Sequence, residues 1–267
     1  MTVPVRDREA AIHSLCSARE LTVKIGRMAV CTSLDLEVRV GECWAVLGMN
    51  GVGKTTLLHT LAGLRASHGG EISLSGTAIS ALSRRAIAQR LSLMPQLIED
   101  AFPATVFEEA MAGRNPHLAP WAWESAEDEA LTRNALAEVG LADFGSRLTS
   151  TLSGGERRRV QLATVLVQDA PLMLLDEPVN HLDLFRQVRL LDLVRGKVAG
   201  NARAAIMTLH DVNLASRFCD HALMLFGNGE YAAGPIESML TESMLSRLYC
   251  QSLKAVDLDG RRFFIAA

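Results

Sequence analysis

The stretch "GMNGVGKTT", Gly48 to Thr56, decides the fold. The apolar "ECWAVL" precedes it and the amphipathic "LLHTLAGL" follows, so it joins a buried strand to a helix. Gly48, Gly53, Lys54 and Thr55 satisfy G-x-x-x-x-G-K-[ST], a spacing that chance would give a chain of this length on the order of once in a hundred times. Glycines let several backbone N–H groups turn inward, and the helix N-terminus adds partial positive charge. Such a loop wraps the phosphates of a nucleotide. Lys54 then reaches the β and γ oxygens, the Thr55 hydroxyl ligates Mg²⁺, and Thr56 offers a further hydroxyl. A dinucleotide-binding turn fits poorly, because Lys54 stands where that turn has no lysine.

Working outward, the order after the loop is helix, strand "EISLSG", helix, and the short strand "LSLMPQ". Later come "PLMLLDEP", a helix from about Leu184, "AAIMTLH", a helix from Asp211, and "HALMLF". Nearly continuous apolar strands alternating with helices predict a buried parallel sheet. Before the loop, from about Leu21 to Val46, the alternation predicts short antiparallel strands. Between about Leu97 and Thr151 the pattern is helical with acidic patches such as "ESAEDEAL", which predicts an inserted helical subdomain. Phe102, Trp121 and Trp123 near its start read as that subdomain's small core. The alternative is that some of them face a partner protein.

Composition sets limits on these readings. The chain has 267 residues, 49% hydrophobic and 21% charged, which suits one large domain or a domain with an insertion. A net charge of -3 gives no general attraction for nucleic acid, so any anion site is local. Five scattered cysteines without C-x-x-C spacing suggest neither a disulfide framework nor a zinc site. The charged opening "MTVPVRDREAAIHSLCSARE" lacks the apolar region of a signal peptide, and no run approaches eighteen apolar residues. The expectation is a protein that neither crosses a membrane nor is secreted.

Three strand ends add chemistry. Asp176 closes "PLMLLD" at the carboxyl edge of the sheet, where it can hold Mg²⁺ through water, and Glu177 beside it can take a proton from attacking water. Alone, such an acidic pair equally fits a helix cap. His210 ends "AAIMTLH" on the same edge, where a neutral imidazole can bond the γ-phosphate or the water; a lone histidine otherwise reads as structural. Gln96 follows "LSLMP" at the doorway to the insertion and can join Mg²⁺ chemistry to movement of that insertion. A second anion cradle, "TLSGGERRRVQLA" from Thr151 to Ala163, puts glycines before a helix.

With "LSGGE" at Leu152 to Glu156 lying before "LLDEP", the chain resembles the nucleotide-binding subunits of ATP-binding cassette (ABC) transporters from about Leu21 to Tyr249. That resemblance implies an α/β P-loop NTPase core with a mainly parallel sheet, an N-terminal antiparallel β subdomain and an inserted helical subdomain. It implies one domain over 18–255, the core taking 18–96 and 157–255 and the insertion 97–156, with an extension at 1–17 and a tail at 256–267. It implies ATP and Mg²⁺ bound by Gly48, Asn50, Gly51, Gly53, Lys54, Thr55 and Thr56, with Thr55, Gln96 and Asp176 on the metal. Glu177, His210, Lys54 and Gln96 would serve catalysis, and Asp183 in "VNHLD" matches the family's aspartate loop. It implies a head-to-tail dimer in which Ser153, Gly154 and Gly155 of one copy close over ATP on the glycine loop of the other. Departures are Ile25 where an aromatic often stacks on adenine, Val179 where threonine commonly follows "DEP", and Arg158 where glutamine is frequent.

Three successive arginines, Arg157 to Arg159, oppose the helix dipole, so an acidic partner is expected for one or more, against a solvated basic face. "AGRNPHL", "EPVNHLDL", "TLHDVNLASRFCDHALML" and "GPIESMLTESMLSRLY" narrow the resemblance to the ATPases of metal-chelate importers for ferric siderophore, haem or cobalamin. The implied partners are a membrane-spanning permease and, indirectly, an extracytoplasmic binding protein, with no nucleic acid, at the cytoplasmic face of the membrane. The rival classes are a non-transport cassette ATPase and a P-loop kinase. Against the first, the chain has neither long coiled coils between the nucleotide motifs nor a second cassette; the second leaves "LSGGE" unexplained.

Overall fold

The computed structural model describes residues 14–96, 103–119, 121–200, 202–258 and 260–267. Strands β1 (Ser14–Ile25), β2 (Met28–Arg39), β4 (Gly69–Leu74) and β5 (Thr77–Ala78) form an antiparallel sheet in the order β2-β1-β4-β5. A six-stranded sheet contains β3 (Cys43–Gly48), β6 (Leu91–Met94), β7 (Leu172–Leu175), β8 (Ala204–Thr208), β9 (His221–Gly227) and β10 (Glu230–Pro235). Its order is β10-β9-β3-β8-β7-β6, parallel throughout except for β10 at one edge.

The N-terminal strands are longer than the short strands predicted, because bulges hide the alternation. In β1 the buried side chains change from Cys16 and Ala18 to Leu21 and Val23, a switch of parity. A register shift lies between Ala18 and Leu21, where Glu20 has φ 49°. The extra residue lets both halves of the strand keep their apolar side on the core. "EISLSG", which follows the first helix, pairs with β1 and so belongs to the antiparallel sheet.

Strands β3, β7 and β8 are buried on both faces, which is why their sequences are almost wholly apolar. Alternate residues feed two cores. Trp44, Val46, Leu172, Leu174, Ile206, Leu223 and Leu225 face the antiparallel sheet and enclose helix α1 (Lys54–Leu61), whose Leu57, Leu58 and Leu61 have no exposure. Each of those leucines contributes about 1.5–3 kcal/mol by burial. Ala45, Leu47, Met173, Leu175, Ala205, Met207 and Met224 face the other core. Helix α2 (Arg84–Ala88) leads into β6.

Helices α3 (Val106–Met111), α4 (Ala126–Glu138) and α5 (Gly154–Gln168) pack on one another, with α5 also lying on β6. Each starts with a capping box, Thr105 with Glu108, Ser125 with Asp128 and Ser153 with Glu156. The reciprocal bonds satisfy free N–H groups of the first turn. Asp128 also accepts from Arg114 Nε at 2.6 Å. The Ser125 amide, its hydroxyl and Arg114 hold that carboxyl at about 2. Because α5 is continuous from Gly154, the residue pair 156/157 falls inside one helix.

The aromatic-core expectation fails for the tryptophans. Trp121 is 100% exposed and Trp123 89%, in the segment between α3 and α4. Aliphatic residues such as Val106, Ala110, Leu136, Val139 and Leu141 fill the helical core instead. Phe102 lies outside the described residues.

Helix α6 (Leu184–Val198) follows β7, and α7 (Val212–Phe218) follows β8. Helices α8 (Ile236–Met239) and α9 (Glu242–Tyr249) then lead to the hairpin β11 (Leu253–Leu258) and β12 (Arg261–Ala266). The tail is tied down: Asn213 accepts from the Phe264 amide at 2.8 Å and donates to its carbonyl at 3.2 Å. Among the described residues no helix is long and apolar enough to cross a membrane.

Candidate active site

The carboxyl ends of β3, β6, β7 and β8 open on one edge of the parallel sheet. Gly48 ends β3, Pro95 and Gln96 follow β6, Asp176 and Glu177 follow β7, and Leu209 and His210 follow β8. Backbone bonds hold those exits together, from Asp176 N to Met94 O at 2.9 Å and from Leu209 N to Val46 O at 3.3 Å.

Two glycines of the loop are dictated by close approach. At Gly53, φ 106°, a Cβ would meet Val30 Cγ2 at 2.4 Å; at Gly48 it would meet the Leu225 carbonyl at 2.8 Å. Gly53 caps α1 without a side chain, leaving the first N–H groups of that helix free toward the loop. Lys54 is buried, and its ammonium donates to the Gly48 carbonyl at 2.8 Å and the Met49 carbonyl at 3.2 Å. Burial pushes its pKa down, against the opposing pull of Glu177 and Asp176. Asn50 and Gly51 are exposed at the loop's tip, and Thr55 and Thr56 are half-buried on the first turn of α1.

Two of the predicted polar side chains, His210 and Gln96, meet on the Glu177 carboxylate. Its Oε1 is 2.8 Å from His210 Nε2, and its Oε2 accepts from Gln96 Nε2 at 2.8 Å. Asn180 Nδ2 also donates to Oε2. Gln96 Oε1 in turn lies 3.5 Å from the Thr55 hydroxyl, so the glutamine bridges the loop's helix and the acidic strand end. Glu177 has φ 51°, a left-handed backbone that costs a non-glycine residue of order 1–2 kcal/mol. Its carboxylate and that of Asp176 have different hydrogen-bond partners.

Asp176 has no exposure, and its two oxygens differ. Oδ1 accepts from Thr208 Oγ1 at 2.7 Å, whereas Oδ2 is buried with no hydrogen-bond partner. An unpartnered carboxylate oxygen is costly. Its position suits a cation or that cation's water, so the residues fit Mg²⁺ with Thr55 and Gln96 nearby.

Ser153, Gly154 and Gly155 make their described contacts elsewhere. The Ser153 hydroxyl donates to Glu156 Oε2 at 2.8 Å and accepts from the Glu156 amide at 3.3 Å. Gly155 approaches Leu182 and the His181 carbonyl, where a Cβ would sit 3.0 and 3.2 Å away. Asp183 caps α6, accepting from the Arg186 amide at 2.9 Å, and is exposed. The second cradle and the glycine loop are therefore not linked through these contacts within one chain.

Sequence reasoning missed Thr208, Asn180 and the role of the arginines. Thr208 is fully buried; its hydroxyl donates to Asp176 Oδ1 and accepts from the Glu177 amide, both at 2.7 Å. A threonine two residues before a strand-end histidine was the available signal. Thr208→Val keeps the shape and leaves both partners buried and unpaired, so equilibrium unfolding in urea should show a loss of about 1–3 kcal/mol. Thr208→Ser should recover most of it.

The acidic partner expected for the arginines is replaced by backbone carbonyls for two of them. Arg158 donates to the carbonyls of Pro95, Asp176 and Glu177, and Arg159 to those of Val139 and Gly140. Ile25 is half-buried against the core at the end of β1, and Val179 is buried.

The family model described as ABC transporter matches residues 31–180, more than half of the chain. The chain belongs to the ABC transporter family. As a member it is a nucleotide-binding ATPase subunit. This ABC subunit is 40% identical over 243 residues to the hemin import ATP-binding protein HmuV of Streptomyces coelicolor, covering 90% of this chain and 85% of the relative. It is 35% identical over 239 residues to the petrobactin import ATP-binding protein FpuD of Bacillus anthracis, covering 87% and 86%. Among solved structures, an inward-facing metal-chelate type ABC transporter superposes with a TM-score of 0.82 at 24% identity, covering 95% of this chain and 98% of that one. At that identity the match speaks for the fold, and it agrees with the mixed α/β architecture described above.

Proposed function

We propose that this ABC subunit drives import of a metal chelate, of the ferric siderophore, haem or cobalamin class, by hydrolysing Mg²⁺–ATP in a head-to-tail dimer. The observation that carries this reading is the convergence of Gln96 and His210 on the Glu177 carboxylate beside the Lys54 loop. Relatives named for hemin and petrobactin import support the chelate. The permease would sit on the membrane side, with this chain peripheral at the cytoplasmic face and a substrate-binding protein acting from outside. The chelate itself need not touch this chain.

In this reading the loop of Gly48, Asn50, Gly51 and Gly53 presents N–H groups to the phosphates, with Thr56 adding a hydroxyl. Lys54 swings its donors from the Gly48 and Met49 carbonyls to the β and γ oxygens. Thr55, Gln96 and Asp176 would hold Mg²⁺, which would supply positive charge to the phosphate oxygens. Glu177 accepts the proton of the attacking water, and His210 holds Glu177 and the water in register. Ser153, Gly154 and Gly155 of the second copy complete the phosphate shell, and Asp183 lies next to that junction. To do this, the Ser153 hydroxyl exchanges its bond to Glu156 for one to the phosphate.

The test is reconstitution with the permease that co-purifies, followed by phosphate release with each chelate-loaded binding protein. Stimulation by one chelate is expected. A phosphorylated small molecule in place of free phosphate would overturn the reading.

A further inference from the structure

Arg158, the middle residue of the arginine triplet, has no part in the nucleotide chemistry described above. It stands in the first turns of α5, five residues after Ser153, yet it is only 5% exposed. Its Nη1 donates to the Pro95 carbonyl at 2.6 Å and to Gln161 Oε1 at 2.8 Å. Its Nη2 donates to the carbonyls of Asp176 at 2.8 Å and Glu177 at 2.9 Å. One planar guanidinium therefore gathers the exit of β6, immediately before Gln96, and the exit of β7, which carries both acidic groups.

We infer that Arg158 is a positioning residue: it fixes the backbone under Gln96 and Glu177 to the start of the helix that carries Ser153, Gly154 and Gly155. This rests on the proposed roles of those residues. Glu177 occupies the left-handed region at φ 51°, a conformation that persists where its surroundings over-determine it. Thr208 grips the Glu177 amide and Arg158 grips its carbonyl, so the turn is held from both sides. The grip on the carbonyl comes from α5. When a second copy's nucleotide seats on the N-terminus of α5, the guanidinium transmits the position of that helix to the carboxylate that receives the water's proton. A rigid fork with parallel donors reaches two strand exits at once; an ammonium, a point donor on a flexible stem, does not.

The experiment compares Arg158→Gln and Arg158→Lys with the unaltered chain, using the permease complex for kinetics and the full chain alone for exchange. Both variants should lower kcat about 30- to 100-fold, the cost of a small misplacement of reacting groups, while the KM for ATP stays within about threefold. Without nucleotide, amide hydrogen exchange should quicken by at least about tenfold across the peptide from Asp176 to Asn180, with the later turns of α5 still protected. A role confined to general stability would loosen α5 equally. Arg158→Ala with added guanidinium ion should recover part of the lost kcat; if that variant fails to fold, the lysine variant carries the test.

The inference is overturned by kcat within threefold in both variants, or by unchanged exchange at residues 176–180. Glu177→Gln on the Arg158 background separates the two ideas. If that chain fails to form an ATP-held dimer, the reading of the site fails. If it does so while the arginine variants hydrolyse normally, only the role of Arg158 fails.

Discussion

Glu177→Gln should lower ATP turnover by about 10²–10⁴-fold, the range for removing a general base, and should hold the chain as a dimer in saturating ATP. The substitution is close to isosteric. Its carbonyl oxygen can keep one of the bonds now made by Gln96, Asn180 and His210 to the carboxylate. What it cannot do is accept a proton from water. Nucleotide binding relies on the loop and Lys54, which the substitution leaves in place, so ATP should still join two copies. Phosphate release measures the first effect and size-exclusion chromatography with ATP the second. Turnover within tenfold of the unaltered chain, or a monomer in saturating ATP, would count against Glu177 as the base.

Lys54→Ala should weaken ATP binding about 100-fold, measured by titration with a fluorescent nucleotide. A hydrogen bond from a charged donor is worth about 1.5–3 kcal/mol, and 2.7 kcal/mol corresponds to about 100-fold in Kd. Lys54 is buried, so its charge acts with less screening than a surface lysine, and its two carbonyl partners show that the ammonium is already aimed along the loop. Met49, one of those partners, is 50% exposed, so water can replace the lost donor there in the variant. The unfolding midpoint should therefore move much less than the affinity. A Kd within threefold of the unaltered chain would remove Lys54 from the phosphate site.

The glycine loop and its flanks were readable because the requirement is local: a strand, two glycines where a Cβ would collide, and a lysine opening a helix. The three capping boxes are equally local, as serine or threonine followed by an acid at the third residue. The parallel strands declared themselves by being apolar on both faces. What failed were features set by distant parts of the chain. The bulge at Glu20 depends on how β1 lies against β2 and β4, so the alternation alone made one long strand look like shorter pieces. Trp121 and Trp123 look like core residues until the aliphatic helices are seen to have filled the space already. An acidic partner is expected for the arginines, whereas Arg158 donates to three carbonyls and to Gln161, and backbone acceptors carry no side-chain signal in a sequence.

The donors on the Glu177 carboxylate come from separate places: the doorway to the helical insertion, the turn after β7, and the end of β8. Gln96 and His210 occupy different oxygens of the same group. Asn180 shares the Gln96 oxygen, so loss of the glutamine alone leaves each oxygen of the carboxylate with a partner. The carboxylate is thus held redundantly on one oxygen and singly on the other, which makes His210 the partner whose loss changes its setting most.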